Sequence, residues 1–265
     1  MLRFSLLSSG SAGNAILIDS GDHKILIDNG LSYKELLSRV TEIGESLDNL
    51  IGVLVTHEHG DHVNGVGVLS RKQSVPTYIT RSTFQALHPR IGKIDPIEHF
   101  DSGDTLFIGP FKITSFRISH DAIDPVSFVV ETQGCRLGLA TDLGKATHLL
   151  RERLEGCHAL VLESNYCPLM IRNSPYPPAI IQRIRSNQGH LSNADMNSLL
   201  AELIHENLQW VVAVHVSQEN NSEDLVRRMA QQVLKDHSAQ LLIADQERPS
   251  PMYTIQTQAL EATPT

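Results

Sequence analysis

The sequence predicts an α/β fold in which β-sheets are covered on their outer faces by helices. Two observations predict it. Short apolar, β-branched runs recur along the 265 residues, each the length of a buried strand and bounded by Gly, Asp, Asn or Pro. Between some of them, apolar residues return every three or four positions, the period of a helix packed on one side. With 41% hydrophobic residues the chain can build a substantial core. No low-complexity linker or repeat divides it, so residues 1–256 read as one domain and 257–265 as a loose tail.

In chain order, the strand runs are Ala15–Asp19, Lys24–Ile27, Ile51–Thr56, Phe111–Phe116, Ser127–Glu131, Arg136–Ala140, Ala159–Leu162, Val211–Val214, Leu241–Ala244 and Tyr253–Ile255. Helical patterns fall near Tyr33–Ile43, Val63–Arg71, Ser82–Leu87, Ala146–Leu154 and Pro178–Ser186. Ser192 with Asp195 reads as a capping box, followed by Met196, Leu199, Leu200, Leu203 and Ile204 on one face. Ser222 opens a further helix with Leu225, Val226, Met229, Ala230 and Val233 turned inward.

Charge and cysteine narrow the class. The formal net charge of −8 excludes a broad basic coat for nucleic acid. Cys135, Cys157 and Cys167 form no close pair, which argues against a disulfide framework and fits a reducing compartment. The opening MLRFSLLSSGSAGN is a poor signal peptide, and no uncharged apolar run approaches the ~20 residues of a membrane span. The expectation is a cytoplasmic protein with no membrane and no disulfide partner, its oligomeric state open. Histidine is the anomaly, with 13 residues in the chain.

Three of them fall in one short run, with four potential metal ligands within six residues. After the apolar run Val53–Val55 comes Thr56-His57-Glu58-His59-Gly60-Asp61-His62. His57 and His59, two apart on extended backbone, point the same way. Asp61 and His62 follow on a turn and can face a second ion beside the first. A polar loop opening a helix would account for Asp61 through the helix dipole, but not for three histidines. Imidazole and carboxylate sets of this kind suit Zn, Mn or Fe. Asp28, His120, Asp142 and His215 each follow an apolar strand run, and strand ends at one edge of a layered sheet converge.

The run His57-Glu58-His59-Gly60-Asp61-His62 resembles the HxHxDH signature of the metallo-β-lactamase fold, and the resemblance spans nearly the whole chain. It implies a four-layer αββα sandwich with two divalent ions, Zn or Mn, at one edge. Position by position, it implies His57, His59 and His120 on one ion, Asp61, His62 and His215 on the other, and Asp142 bridging. Asp61 is taken as catalytic as well. Asp28 matches an aspartate that orients ligands from behind; Asp28-Asn29-Gly30 is also a good turn.

Within that fold, function has to be argued from the site. β-Lactamases carry Cys where Asp142 stands, flavodiiron enzymes an acid where His59 stands, and glyoxalase II a TPGHT-like run around the third histidine. Gly189-His190-Leu191-Ser192-Asn193-Ala194-Asp195 instead resembles the GHSTAxE element of RNase Z enzymes, which implies His190 as proton donor to the leaving group. A polar residue at a helix entrance is the alternative for His190, and Asp195 reads as a cap. Only 47 residues separate Asp142 from His190, too few for the β-CASP insert of RNase J, and no Gly/Pro-rich tRNA-holding arm is visible.

The YycJ/WalJ branch, also called VicX, is the nearest resemblance. It rests on Leu7-Ser8-Ser9-Gly10-Ser11-Ala12-Gly13-Asn14, the run continuing from His62 to Leu69, the Gly189–Asn193 run, and His215-Val216-Ser217-Gln218-Glu219-Asn220-Asn221. It implies a dinuclear metal-dependent phosphodiesterase, most specifically a 5′-to-3′ DNA exonuclease, in which a hydroxide between the ions attacks phosphorus. DNA or RNA is the expected substrate. A small-molecule phosphodiester or thioester hydrolase is the alternative, and a binding protein without turnover a third reading. Two divalent ions less Asp61, Asp142 and hydroxide leave a positive centre, so net acidity is no objection. Between Ser164 and Ala194 there is no acid, while Arg172, Arg183 and Arg185 are present. Arg183 and Arg185 are candidates to grip phosphate, with Ser217 as a further substrate contact; a solvated helix face is the plain alternative. Tyr166 and Tyr176 either stack on bases or pack on neighbours. His23, His88, His99, His148, His158, His205 and His237 share no spacing and read as surface or packing residues.

Overall fold

The computed structural model describes residues 1–87 and 89–257, so His88 and nearly all of the expected tail lie outside the described residues. Two seven-stranded sheets form the centre. The first contains β1 (Leu2–Ser8), β2 (Ala15–Asp19), β3 (Lys24–Ile27), β4 (Leu50–Leu54), β5 (Thr77–Thr80) and β6 (Ile97–Phe100). The second contains β7 (Thr105–Ile108), β8 (Phe111–Arg117), β9 (Val126–Thr132), β10 (Cys135–Ala140), β11 (Ala159–Glu163), β12 (Trp210–Val214) and β13 (Gln240–Ile243). The chain then returns to the first sheet as β14 (Tyr253–Ile255), antiparallel to β1. In each sheet a block of four strands is parallel: β3 to β6 in the first, β10 to β13 in the second.

Strands that read as continuous apolar runs do so because both faces are buried. Along β11, Ala159 and Val161 enter the core between the sheets, while Leu160 and Leu162 face the outer helices. On β2, Ile16 and Ile18 enter the same core, while Ala15 and Leu17 pack outward. The first sheet is covered by α1 (Tyr33–Glu42), α2 (Gly60–Val63), α3 (Val66–Gln73) and α4 (Arg81–Leu87). The second carries α5 (His148–Leu154), α7 (Asn193–Leu203) and α8 (Glu223–Val233), with α6 (Pro178–Ile184) lying near the metal-site residues. The result is the expected four-layer αββα sandwich.

Helix starts follow the sequence closely. Ser192 Oγ accepts from the Asp195 N–H and Ser222 Oγ from the Leu225 N–H, the capping bonds read for α7 and α8. Four strands, β1, β5, β6 and β7, were not marked by the sequence pattern. β5 to β7 are four residues each and mix polar with apolar side chains, and β1 interleaves Arg3, Ser5 and Ser8 with its apolar residues. The expected Val63–Arg71 helix is two, α2 and α3, and Asp61 and His62 sit in α2 rather than on a turn. Gly65 stands at the break, where a Cβ would meet the Leu31 carbonyl oxygen at 1.9 Å.

Candidate functional site

Residues at the carboxyl ends of β3, β4, β10, β11 and β12, with the loop after β8, meet at one edge, where open α/β sheets bind ligands. Three of them, Asp28, Asp142 and His215, have φ near +55 to +58°, a left-handed conformation that side chains other than glycine seldom adopt. Asp28 and His215 follow directly on a strand and Asp142 follows β10 with one residue between, so the reversed backbone turns each side chain into the edge instead of continuing the pleat. Strain of this kind persists only where surrounding contacts enforce it.

Hydrogen bonds fix the ring orientations. Asp28 accepts from the Thr56 N–H (2.8 Å) and from Thr56 Oγ1–H (2.7 Å), and also faces His62 Nδ1 at 2.8 Å. Because Thr56 Oγ1 donates to that carboxylate, it accepts from His57 Nδ1–H at 2.9 Å, which leaves His57 Nε2 as a bare lone pair. His120 Nδ1–H donates to the Gly189 carbonyl at 3.2 Å, leaving His120 Nε2 bare. Burial, reinforced at His57 by the neighbouring His62, holds His57 well below the usual imidazole pKa; burial likewise lowers His120, so both rings are neutral.

Those bare nitrogens converge. His57 Nε2 lies 3.1 Å from His59 Nδ1, and His120 Nε2 lies 3.3 Å from the same atom. At most one proton can sit among three nitrogens aimed at one point, and a cation resolves the crowding.

Asp142 joins this group to a second one. Its Oδ1 is 3.3 Å from His215 Nδ1 and 4.0 Å from His120 Nε2, while Oδ2 is 3.3 Å from His62 Nε2. Oδ2 is buried and makes no hydrogen bond, an orphan that a native interior avoids unless an ion satisfies it. Burial alone would raise the Asp142 pKa, but the facing His215 and His62 rings outweigh it and hold the carboxyl well below its usual range. The converse holds for the rings. Burial opposes their charge, yet Asp142 and Asp28 hold His62 well above the ordinary value, and Asp142 with Glu163 pushes His215 up to about 9.

Glu163 was not anticipated. Fully buried at the end of β11, its Oε1 faces His190 Nδ1 at 2.7 Å and His215 Nδ1 at 2.9 Å, while Oε2 accepts from the N–H groups of Leu143 and Leu191. Four contacts fix the carboxylate, and through it both rings. The signal was available: Glu163 follows the apolar run Ala159–Leu162 just as Asp142 follows Leu137–Ala140. Asn14 was quoted only within a motif, yet its Nδ2 lies 3.1 Å from Asp61 Oδ2 and 3.0 Å from His62 Nε2.

Ligand atoms close enough to share an ion fall into three groups among the described residues: His57, His59 and His120; His57, His62 and Asp142; and Asp142, Glu163, His190 and His215. Asp61 enters none of them. It lies at the rim, its Oδ2 3.5 Å from His62 Nε2. Gly30 lets its backbone approach, since a Cβ there would meet the Asp61 carbonyl oxygen at 1.8 Å. His190 is the more open of the two rings on Glu163, its side chain 20% exposed against 6% for His215. Arg183 pairs with Asp121, the residue after His120, while Arg185 is exposed at the end of α6. Ser217 Oγ accepts from the Asn220 N–H, and Ser217 lines a cleft with His190 and His215.

The beta-lactamase superfamily domain matches residues 23–215. Exodeoxyribonuclease YycJ of Bacillus anthracis is 35% identical over 237 residues, spanning 89% of this chain and 90% of its own. Exodeoxyribonuclease WalJ of Streptococcus pneumoniae serotype 2 is 34% identical over 227 residues, 84% of each. Among solved structures, the metallo-beta-lactamase fold protein YhfI from Bacillus subtilis aligns with a TM-score of 0.70 at 18% identity, covering 94% of this chain and 99% of its own. Human tRNase Z, short form, aligns at 0.64 with 13% identity, covering 96% and 100%. These two likenesses are of fold alone, and they place the sandwich among metallo-beta-lactamase folds.

Proposed function

The chain belongs to the beta-lactamase superfamily and, within it, to the family of the YycJ and WalJ exodeoxyribonucleases, and from that premise we propose that it is a metal-dependent exodeoxyribonuclease working in the 5′-to-3′ direction. The observation that carries the reading is Asp142, whose two oxygens address different histidine groups while Oδ2 remains buried and unbonded. We assign two divalent ions, zinc or manganese. His57, His59 and His120 would hold one; His62 and His215 would hold the other, with Asp142 shared and Asp61 at its margin. When bound, such a pair activates water and neutralises phosphoryl charge.

This chain's own residues do the rest. Asp28 and Thr56 orient His57 and His62 so that their Nε2 atoms face the centre. Asp61, braced by Asn14, orients the attacking water from the rim. Glu163 holds His190 at Nδ1, leaving Nε2 to pass a proton to the departing sugar oxygen. Arg183 is engaged by Asp121, which leaves Arg185 as the freer guanidinium for a strand phosphate. Three free, buried cysteines fit a reducing compartment, and we place the protein in the cytoplasm. No described helix is long and apolar enough to cross a membrane.

Metal-loaded protein given end-labelled DNA, RNA and an aryl phosphodiester tests the reading, with Asp142→Ala as control. Stepwise shortening of DNA that disappears in the variant supports it. Turnover of the aryl diester without nucleic-acid cleavage would shift the assignment to a small-molecule phosphodiesterase.

A further inference from the structure

Asp121 follows His120 on the loop after β8 and divides its carboxylate between two neighbours. Oδ2 accepts from Arg183 Nε–H on α6. Oδ1 is shut off from solvent and makes no hydrogen bond. It lies 3.4 Å from His120 Nε2, the bare nitrogen that faces His59. His120 gives its N–H to the Gly189 carbonyl, so no proton stands between that nitrogen and Oδ1. Two buried acceptors side by side need a common donor or a cation, the same argument that applies to Asp142. Asp121 belongs to none of the three ligand groups. Its oxygen is therefore placed to act on the ion of His57, His59 and His120 through a water on that ion, not as a ligand.

The contact with Arg183 is built on a fixed backbone. Ser119 Oγ–H donates to the Asn187 carbonyl at 2.6 Å, and the Gly144 N–H donates to the Ser119 carbonyl at 2.7 Å, which ties the loop to the segment after α6. The His190 N–H donates to the Ile184 carbonyl at 2.9 Å. Gly189 passes so close that a Cβ there would meet the Arg183 carbonyl oxygen at 2.2 Å. Anchoring both backbones lowers the ordering cost that makes most exposed ion pairs weak. Only Nε of the guanidinium is taken. Its two NH2 groups have no partner among the described residues, and the side chain is 58% exposed.

We propose that Asp121 is a two-sided positioning residue: Oδ1 steadies a water on the ion of His57, His59 and His120, while Oδ2 sets the Arg183 guanidinium beside that ion to grip the phosphate being cut. The inference rests on the metal-dependent nuclease reading and adds how the ion and a cationic side chain are brought to one phosphate. Arg185 stays the freer guanidinium, available to a neighbouring phosphate of the strand. The Asp121 charge is flanked by a guanidinium on one side and the ion on the other, so it offers a phosphate little net repulsion.

Asp121→Asn keeps the shape and removes the charge, and Arg183→Gln removes the guanidinium. Asp124→Asn, on the same loop and paired with Arg117, controls for disturbance of the loop. Competition for zinc with a chromophoric chelator should show one of the two zinc affinities weakened about 10- to 100-fold in D121N. Both affinities should stay native in R183Q and D124N. At saturating metal, KM for end-labelled DNA should rise about 3- to 10-fold in D121N and in R183Q, the scale of one solvent-accessible charge-assisted hydrogen bond. The double variant should be no worse than R183Q alone, because both changes remove the same grip. An Asp121 that only masks Arg183 gives the opposite sign, a lower KM in D121N with both zinc affinities native, and that result overturns the proposal. Native zinc affinities with an unmoved KM, or losses that add in the double variant, overturn it as well. Chelator competition needs no substrate, so it stands apart from the nuclease reading. If the native protein turns over an aryl phosphodiester and leaves DNA uncut, the nuclease reading falls, and the same KM comparison on the aryl diester still decides the role of Asp121.

Discussion

Histidines gather at both ends of the parallel block β10 to β13, and the two ends use them in opposite ways. At the carboxyl ends of β10, β11 and β12, ring nitrogens face one another and the carboxylates of Asp142 and Glu163. At the starts of β11 to β13, ring nitrogens are occupied by backbone. His158 Nδ1 accepts from the Arg136 N–H at 3.1 Å, and His205 Nε2–H donates to the Cys157 carbonyl at 2.9 Å. His237 Nε2–H donates to the His205 carbonyl at 3.0 Å, and its Nδ1 accepts from the Ala239 N–H. These three rings knit together the turns that lead into the strands. A histidine whose nitrogens are matched by carbonyls and amides needs no ion; one whose lone pair faces other lone pairs does. Counting histidines cannot separate the two groups, but tracing each nitrogen can.

The comparison is most exposed at His190, which stands close enough to Asp142, Glu163 and His215 to share an ion with them. If its part is proton transfer, His190→Ala should lower kcat by about 10²- to 10⁴-fold with metal content unchanged. Elemental analysis beside single-turnover kinetics checks both halves. Loss of an ion in the variant would move His190 into the ligand set and leave the proton donor unassigned.

A smaller effect is expected at Glu163. Glu163→Gln keeps the length but leaves a single carbonyl oxygen to face two rings and two amide N–H groups. Partners that orient ligand histidines are typically worth about 10- to 100-fold in metal affinity or activity. Competition with a chromophoric chelator should show that weakening, while kcat at saturating metal tracks how far His190 has lost its orientation. Unchanged affinity and rate would reduce Glu163 to a packing residue.

Most of this edge was legible because rigid strands announce themselves. The apolar runs before Asp28, Asp142 and His215 mark strand ends, and the HxHxDH spacing supplies three rings on one short segment. What could not be read is orientation. Nothing in Asp142 or His215 as letters indicates a left-handed backbone that swings the side chain inward, or that Asp121 would claim Arg183. Glu163 is different: the family resemblance that gives Asp28 and Asp142 their roles names no acid at position 163, and a lone acid closing an apolar strand carries no metal-binding signal of its own. The four unmarked strands fail on periodicity, since β5 to β7 are too short to show any.

The weakest functional effect, and the sharpest contrast, belongs to the opposite end. His205 is half-buried, and both its nitrogens serve backbone groups, Nε2–H toward Cys157 O and Nδ1 toward the Asn207 N–H. Its removal strands the Cys157 carbonyl without its ring partner, although water can reach part of the gap. His205→Ala is therefore expected to cost about 1 kcal/mol of stability, the ordinary net worth of such bonds. Urea unfolding of the metal-free protein reads that loss as a lower midpoint at constant slope. Metal content and kcat per folded molecule should match the native protein, because His205 anchors the approach to β12 while His215 closes the other end of that strand. A drop in metal binding would show that the two ends are not independent, and that the loops knit by His158, His205 and His237 help set the position of the ligands at the far end.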